Sequence, residues 1–424
     1  MLRFGRLALG RPHLAVLRCV RLCSSSVVPH GSMTAAIHAD ALDADPLGWM
    51  HSTDRDVSPP LSLSTTFTCA APGTHGHVYS RISNPTRERC ESLLAAVEGT
   101  PHSTAHAVLY ASGLAATFGI LSQLLPRRVA IKGGYHGTHL VVAQLQRLSL
   151  GARFATIPLP AASDAAAVLQ PGDVVWLETP RNPDCVVADV EAYVEAARAI
   201  GSVHVIVDGT FAPPPLQRPL TLGADVVMHS TTKYLAGHSD AIGGALCVAD
   251  CELATRLRED RTAAGSTPGA LEVWLLMRSL RTLHLRVQRQ SETATALAAW
   301  LESAVDADPS SHALAGLVAS VWHPSLASSA SHTIACRQMV GGFGGCFALE
   351  LICSEAAQAL PAELKLWRDA TSLGGVESLI EWRRKYDDSI SPRLLRCSVG
   401  LEEAEHLKND LERAILAVSN DKPR

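Results

Sequence analysis

Short apolar runs bounded by polar turns alternate with longer amphipathic stretches along most of this 424-residue chain. The short runs predict buried strands at 107–110, 128–131, 173–178, 203–207, 226–228 and 243–248. The longer stretches predict helices at about 87–98, from 115 onward, at 190–200 and at 271–301. Strands that alternate with helices predict a mostly parallel sheet covered on both faces, with ligands at the carboxyl ends of its strands.

The polar turn after the run 226–228 contains a lysine among small and apolar neighbours. Ser230 and Thr232 precede this residue, Lys233, and Tyr-Leu-Ala-Gly follows it. A lysine that loses hydration has a lowered pKa, and its neutral amine can form a Schiff base with a carbonyl compound. An S-x-T-K sequence alone is more often an ordinary surface turn. The neighbouring hydroxyls would also suit the phosphate of a cofactor bound to the amine.

An acidic residue, Asp208, directly follows the run 203–207 and lies 25 residues before Lys233. A carboxylate at the end of a buried strand is unfavourable unless it meets a cation. The protonated ring nitrogen of pyridoxal 5′-phosphate (PLP) is such a cation. The two strand ends together therefore predict a PLP site in which Lys233 and Asp208 are catalytic.

The arrangement of these motifs resembles the Cys/Met-metabolism, or trans-sulfuration, family of PLP enzymes, which includes cystathionine γ-synthases and γ-lyases. The resemblance extends from about Leu61 to about Leu411. It implies the aspartate-aminotransferase-like fold (fold type I), with a large α/β domain and a smaller α+β carboxyl-terminal domain. We predict a transit peptide at 1–32, an amino-terminal arm at 33–86, a PLP-binding domain at 87–291 and a carboxyl-terminal domain at 292–424.

Further motifs at the ends of predicted elements match the family's cofactor-binding residues. The turn Ser112-Gly113-Leu114 opens a helix, and the free N–H groups of a helix start favour a phosphate, together with Ser230 and Thr232. The resemblance implies that Tyr79 and Arg81 contact the cofactor phosphate of a neighbouring subunit. The active protein would then be a homodimer or homotetramer with shared sites.

Three more roles come from the resemblance. Tyr135 matches a catalytic tyrosine that stacks on the cofactor ring and assists proton transfer, which is a geometry that aromatic rings favour. Asn182, in E-T-P-R-N-P, matches an asparagine that hydrogen-bonds the cofactor's 3′-oxygen. Arg396 matches an arginine that binds the carboxylate of an amino acid in bidentate fashion, and Ser372 matches a residue beside it.

The chain also departs from the family pattern at several positions. His136 replaces a glycine of Y-G-G-T, and Gly209 replaces the asparagine of D-N-T. Thr371 stands where cystathionine γ-lyases usually have glutamate, and Gly137 stands where methionine γ-lyases have cysteine. The second pair of departures bears on the choice of substrate.

The resemblance implies an enzyme that breaks or forms a carbon–sulfur bond of a small sulfur amino acid. We expect a lyase of cystathionine, with β-elimination also open. A cystathionine γ-synthase, which joins cysteine to O-activated homoserine, is the alternative reaction. A PLP-binding regulatory protein without turnover is the alternative of another class.

Composition and charge exclude several other classes. A net charge of −4 gives no electrostatic basis for binding nucleic acid, and no apolar run approaches the length of about 18 residues that spans a membrane. Eleven cysteines without paired C-x-x-C spacing predict thiols in a reducing compartment and no metal site. No G-x-G-x-x-G follows a predicted strand, so a dinucleotide site is not predicted.

The first 32 residues differ from the remainder in composition. Five arginines alternate with apolar residues, a Ser-Ser-Ser run follows, and no acidic residue occurs before Asp40. This composition is typical of an organellar transit peptide, and the alternative is a disordered arm. We predict a mitochondrial location, with plastid or cytoplasm as alternatives.

Overall fold

The computed structural model describes residues 34, 36–37, 39, 57–68, 76–99 and 105–420. The predicted transit peptide and much of the predicted arm lie outside these residues. In the described part, seven strands form one sheet and five form another. The strands of the larger sheet are β1 (His106–Tyr110), β2 (Arg128–Ile131), β3 (Ala155–Pro158), β4 (Val174–Glu178), β5 (His204–Asp208), β6 (Val226–His229) and β7 (Gly244–Val248).

The larger sheet has the order β1-β7-β6-β5-β4-β2-β3. Strand β7 is antiparallel to both of its neighbours, and the other pairs are parallel. Glu178 at the end of β4 is paired with Asp208 at the end of β5, and Asp208 is paired with Met228 in β6. Three strand ends therefore lie side by side at one edge, as the sequence predicted. The mostly parallel sheet is confirmed.

Helices cover both faces of this sheet and continue into the smaller domain. They are α1 (Pro85–Glu98), α2 (Gly113–Leu124), α3 (His136–Leu148), α4 (Ala162–Val168), α5 (Val190–Ile200), α6 (Cys251–Ala264), α7 (Ala270–Leu280), α8 (Leu283–Glu302), α9 (His332–Gln338), α10 (Ser354–Glu363) and α11 (Ala404–Asn420). Four of them begin after a residue whose side chain caps the helix and accepts hydrogen bonds from first-turn N–H groups: Asn84 for α1, Ser112 for α2, Asp189 for α5 and Asp250 for α6.

The predicted long helix at 271–301 is wrong in one respect, because the chain forms two helices there. Helix α7 ends at Leu280 and α8 begins at Leu283. Thr282 between them has φ −116° and ψ 8°, outside the helical region. The apolar periodicity continues through both helices without a proline or glycine, so the pattern alone does not reveal the break.

The smaller sheet has the order β10-β11-β12-β9-β8. Its strands are β8 (Val318–Trp322), β9 (Cys346–Leu351), β10 (Arg368–Asp369), β11 (Leu379–Trp382) and β12 (Leu394–Ser398). Helix α8 joins the two domains, because Val287 packs in the core beside the larger sheet while Leu297 packs in the core of the smaller one. The predicted domain boundary at 291/292 falls within this helix and stays a prediction.

Within the described ranges, no helix has both the length and the apolar character needed to cross a membrane. In the same residues, no group of three or more His, Cys, Asp or Glu side chains could hold a metal ion.

Candidate active site

One serine joins the predicted lysine to the predicted carboxylate-binding arginine. The Lys233 Nζ donates a hydrogen bond to Ser372 Oγ over 2.7 Å, and the Arg396 Nη2 donates to the Ser372 carbonyl over 2.8 Å. Ser372 has φ 89°, a left-handed conformation that non-glycine residues rarely adopt. Lys233 belongs to the larger domain, and the other two residues belong to the smaller one. The candidate site therefore lies where the two domains meet.

The environment of Lys233 favours the neutral amine. Burial and, to a smaller extent, the positive charge of Arg396 lower the pKa of Lys233 to about 8, although Glu381 and Cys346 act in the opposite direction. A neutral amine is the nucleophilic and basic form of lysine. This environment agrees with the reasoning from the S-x-T-K turn.

A pH dependence of aldehyde capture follows from this pKa. The rate at which cofactor-free protein attaches pyridoxal to Lys233 should rise about tenfold per pH unit below about pH 8 and level off above it, because only the neutral amine reacts. Stopped-flow absorbance across pH 6 to 10 measures this rate, with Lys233→Ala as the blank. A rate that keeps rising toward pH 10 would contradict the lowered pKa.

Arg396 has three partners around its guanidinium group. Besides Ser372, its Nη1 donates to the Asn182 Oδ1 over 3.3 Å, and its Nη2 lies 2.5 Å from the Glu381 Oε2. Glu381 also accepts a hydrogen bond from the Arg383 Nη1 over 2.8 Å. Sequence reasoning missed Glu381, although an acidic residue in the apolar strand Leu-Ile-Glu-Trp was an available signal. A buried carboxylate thus holds one side of the arginine.

Glu178 connects two further predicted residues. Its two carboxylate oxygens accept hydrogen bonds from the backbone N–H of Tyr135 over 2.6 Å and of Asn182 over 2.7 Å. Burial and repulsion by Asp208 together raise the pKa of Glu178 to about 8, although the hydrogen bonds from the Tyr135 and Asn182 N–H groups oppose the rise. Sequence reasoning quoted this glutamate within a motif without assigning it a role. It links the loop that carries Tyr135 to the loop that carries Asn182.

Asp208 is buried, with 4% of its surface exposed. Its Oδ1 accepts a hydrogen bond from the backbone N–H of Thr210 over 3.0 Å. Burial raises the pKa of Asp208, while hydrogen bonds from Thr210 and the charge of His229 oppose the rise. Among the described residues, no arginine or lysine forms an ion pair with this carboxylate. A carboxylate so placed fits a cationic ring nitrogen, as PLP would supply.

The predicted phosphate turn lies against the lysine turn. Ser112 Oγ caps α2 by accepting from the Ala115 N–H over 3.1 Å, which leaves the first-turn N–H groups of Gly113 and Leu114 outside the helix's own hydrogen bonds. A Cβ at Gly113 would lie 3.1 Å from the Ser230 Cβ. The glycine therefore allows two backbone segments and a hydroxyl to approach each other closely, which fits a bound phosphate.

Thr232 faces a different partner. Its hydroxyl donates to the Gly243 carbonyl over 3.3 Å and accepts from the Gly243 N–H over 3.1 Å. These two bonds fix the lysine turn to the start of β7. A role of Thr232 in phosphate binding stays a prediction.

Tyr135 is 40% exposed, and its ring lies 4.8 Å from the ring of His136. A Cβ at Gly137 would overlap the Tyr135 ring and come within 3.0 Å of the Leu114 side chain. The absence of a side chain at Gly137 thus gives the tyrosine ring its position.

Tyr79 and Arg81 lie apart from these contacts. They line a cleft of about 370 Å³ together with Arg87 and Thr267, and none of the other predicted site residues line it. The Arg81 guanidinium lies 5.4 Å from the centre of the Tyr79 ring. Within one chain, the described contacts do not bring these two residues to Lys233. This separation is what a site completed by a second subunit requires.

Comparison with known proteins relates this geometry to enzymes of sulfur amino-acid metabolism. The sequence profile of the family described as Cys/Met metabolism PLP-dependent enzyme matches residues 48–416. A cystathionine gamma-synthase of Mycobacterium tuberculosis is 38% identical over 91% of this chain and 97% of its own length. Human cystathionine gamma-lyase is 36% identical over 93% of this chain and 96% of its own. The crystal structure of cystathionine gamma synthase from Xanthomonas oryzae pv. oryzae matches with a TM-score of 0.80 and 33% identity, over 93% of this chain and 100% of that chain.

Proposed function

The chain belongs to the Cys/Met metabolism family of PLP-dependent enzymes, and on that premise we propose that it cleaves the Cγ–S bond of cystathionine. It has the fold of the type I PLP enzymes, and its cofactor is pyridoxal 5′-phosphate. It is an enzyme that acts on carbon–sulfur bonds, so the alternative of a PLP-binding protein without turnover is discarded. The finer assignment of bond and direction is our proposal.

The observation that carries the proposal is the bridge that Ser372 forms between Lys233 and Arg396. If Arg396 binds the carboxylate of an α-amino acid, the α-carbon, which is bonded to that carboxylate, is held close to Arg396. The Lys233 amine lies on the other side of the same serine. The arrangement therefore suits removal of a proton from the α-carbon of an amino acid.

Each residue then has a separate task. PLP, when bound, withdraws electrons from the carbon skeleton of the attached amino acid. The Lys233 amine takes the proton from Cα and can also move a proton at Cβ, because its lowered pKa of about 8 lets it both accept and donate near neutral pH. Arg396 fixes the carboxylate, and Asp208 balances positive charge on the ring nitrogen.

Elimination needs fewer components than the γ-synthase reaction, because one substrate and one mobile base are sufficient. Cystathionine and water would give cysteine, 2-oxobutanoate and ammonia, with the sulfur leaving Cγ as the thiol of cysteine. The γ-synthase alternative would use the same residues, with O-activated homoserine bound at Arg396 and cysteine as the incoming thiol. The similarity to the mycobacterial synthase keeps that alternative in the test.

The Tyr135 loop supports cystathionine over methionine as the substrate. Gly137 occupies the position of the cysteine in methionine γ-lyases, and a side chain there would overlap the Tyr135 ring. A methionine γ-lyase site would thus require the tyrosine to lie elsewhere.

Product analysis tests the proposal directly. The purified enzyme is incubated with cystathionine, with O-activated homoserine plus cysteine, and with methionine, and the products are identified by mass spectrometry. The proposal predicts 2-oxobutanoate and cysteine from the first mixture as the fastest reaction. Faster formation of cystathionine from the second mixture would establish the synthase reaction instead, and release of methanethiol from the third would contradict both.

We further propose that Tyr79 and Arg81 complete the site of a second subunit, so that a homodimer is the smallest active unit. Mixing inactive Arg81→Ala chains with inactive Lys233→Ala chains should then restore about a quarter of wild-type activity. About half of randomly paired dimers are mixed, and each mixed dimer has one site with both residues intact. Co-expression of the two chains followed by an activity assay measures the recovery.

Two controls accompany this complementation experiment. Each variant alone must assemble to the same size as the wild type in analytical ultracentrifugation, and Thr267→Ala alone should retain wild-type activity, because Thr267 lines the same cleft without a predicted phosphate role. Absence of recovery in correctly assembled mixtures would assign Arg81 to its own chain's site or to none.

We propose that the first 32 residues are a mitochondrial targeting sequence that takes no part in catalysis. A chain that begins after residue 32 should retain wild-type kcat and KM, and a reporter fused to residues 1–32 should enter mitochondria. Steady-state kinetics and fluorescence microscopy measure the two outcomes. Entry of the reporter into plastids, or its retention in the cytosol, would contradict the mitochondrial location. A lower kcat in the shortened chain would contradict the proposal that residues 1–32 take no part in catalysis.

A further inference from the structure

Two buried arginines share one buried carboxylate in the smaller domain. Arg396 in β12 is paired with Glu381 in the antiparallel neighbour β11. The Arg396 Nη2 lies 2.5 Å from the Glu381 Oε2, and the Arg383 Nη1 donates to the Glu381 Oε1 over 2.8 Å. All three side chains are buried. The proposed mechanism gives Arg396 a task and leaves Arg383 without one.

The order of residues at the end of β11 turns Arg383 toward Glu381. Strand β11 ends at Trp382, and a short 3-10 turn, Arg383–Lys385, follows it directly. Trp382 packs against the core of the smaller domain. Side chains alternate along a strand, so Glu381 and Arg383, on either side of the tryptophan, both point away from that core. Arg396 lies on the same face of the sheet, opposite Glu381.

The charges of the three residues explain why the second arginine matters. Arginine carries a full positive charge under all physiological conditions. If Arg396 and Glu381 were alone, the pair would have no net charge, and a substrate carboxylate attracted by Arg396 would be repelled by the glutamate beside it. The carboxylate that holds the arginine in place would thus weaken the site. With Arg383 on its other oxygen, the cluster carries one net positive charge, which a single substrate carboxylate neutralises.

We infer that Arg383 is the counter-charge that keeps the positive charge of Arg396 available to the carboxylate of an amino-acid substrate. Arg383 acts through Glu381 and needs no contact with the substrate, so it is a positioning residue. The inference rests on the proposed role of Arg396. It assigns the preference for a carboxylate over an uncharged group to the cluster of three residues rather than to one arginine.

The test compares two ligands that differ in one charge. Glycine has a carboxylate, whereas glycinamide has an uncharged amide in its place. Isothermal titration calorimetry measures the Kd of each for the PLP-loaded enzyme, and the preference is the Kd of glycinamide divided by the Kd of glycine. Arg383→Gln keeps a donor that can reach Glu381 and removes the charge. We expect it to raise the Kd of glycine about tenfold, which corresponds to about 1.4 kcal/mol, and to leave the Kd of glycinamide within about twofold.

A second substitution should restore the charge balance. Arg383→Gln combined with Glu381→Gln removes one positive and one negative charge, so Arg396 again provides one net positive charge. We expect this double variant to recover glycine binding to within about threefold of the wild type. Loss of packing alone predicts the opposite, because two altered buried residues would bind glycine no better than one. Absence of recovery would therefore overturn the inference.

Arg384→Gln is the matched control. Arg384 follows Arg383 in the same turn, but its Nη1 donates to the Ile390 carbonyl over 2.9 Å and its Nε lies 3.7 Å from the Asp388 carboxylate. The substitution deletes the same charge from the same turn and leaves the contacts of Glu381 in place. We expect the wild-type preference to persist. A change as large as in Arg383→Gln would overturn the inference, because any nearby positive charge would then suffice.

Arg396→Gln separates failure of the inference from failure of the proposed function. If this variant keeps the wild-type preference, Arg396 does not bind the carboxylate, and its proposed role and the inference fail together. If Arg396→Gln loses the preference while Arg383→Gln keeps it, the inference alone is overturned. If Arg383→Gln does not fold, Glu381→Gln is compared with the double variant, because these two differ only in the charge at position 383. The single variant should then bind glycine about tenfold more tightly, and equal binding would overturn the inference.

Discussion

Lys233→Ala should lose activity by at least about a thousandfold and should no longer show the visible absorption of covalently bound PLP. The amine is both the attachment point and the base, and removal of a positioned base alone reduces rates by about 10²–10⁴-fold. The alanine also leaves the Ser372 hydroxyl without its 2.7 Å donor, which loosens the contact between the domains. Absorbance spectra and steady-state kinetics measure the two losses.

Lys132→Ala is the control, because Lys132 is an exposed lysine that directly follows β2 in the same domain. It should retain both the visible absorption and wild-type turnover. Retention of the absorption band in Lys233→Ala would assign the covalent attachment to a different lysine and remove the basis of the proposed mechanism.

Asp208→Asn should retain bound PLP and lose turnover by about a hundredfold. An amide cannot balance a positive ring nitrogen, so the cofactor withdraws electrons less well. The asparagine keeps an oxygen that can accept the hydrogen bond from the Thr210 N–H, so the loop geometry should persist. Cofactor content after dialysis and kcat distinguish binding from chemistry.

Asp225→Asn provides the comparison for this variant. Asp225 precedes β6 at the opposite end of the strand, pairs with Arg198 over 2.9 Å and accepts from the Val205 N–H over 2.7 Å. Its replacement should lower thermal stability and leave kcat near the wild-type value. Equal kcat in Asp208→Asn and Asp225→Asn would exclude Asp208 from the reaction.

The strands and helices that surround the site were predictable, because five of the six predicted apolar runs end at a polar turn that also contains a predicted site residue. The predicted strand at 128–131 and helix at 190–200 coincide with the observed Arg128–Ile131 and Val190–Ile200. The break between α7 and α8 was not predictable, because the apolar face continues through it and Thr282 is not a strong helix breaker.

The supporting residues of the site were harder to find for a different reason. Glu381 is found only through its register opposite Arg396 in β11 and β12, and Glu178 only through its bonds to the N–H groups of Tyr135 and Asn182. Such contacts depend on how elements pack, which the local pattern of one sequence does not encode. The residues that bear the chemistry lie at recognisable turns, whereas those that hold them in place are scattered through the core.

Helix α8 has a consequence for how the protein unfolds. Its 20 residues, about 30 Å long, supply apolar side chains to both cores, and Arg286 within it donates to the Tyr234 carbonyl, one residue after Lys233, over 2.7 Å. The smaller core cannot lose this helix without exposing part of the larger one. The two domains should therefore melt as one cooperative unit. Damage to the carboxyl-terminal domain would then disorder the lysine turn of the larger domain as well as the Arg396 site in the smaller one.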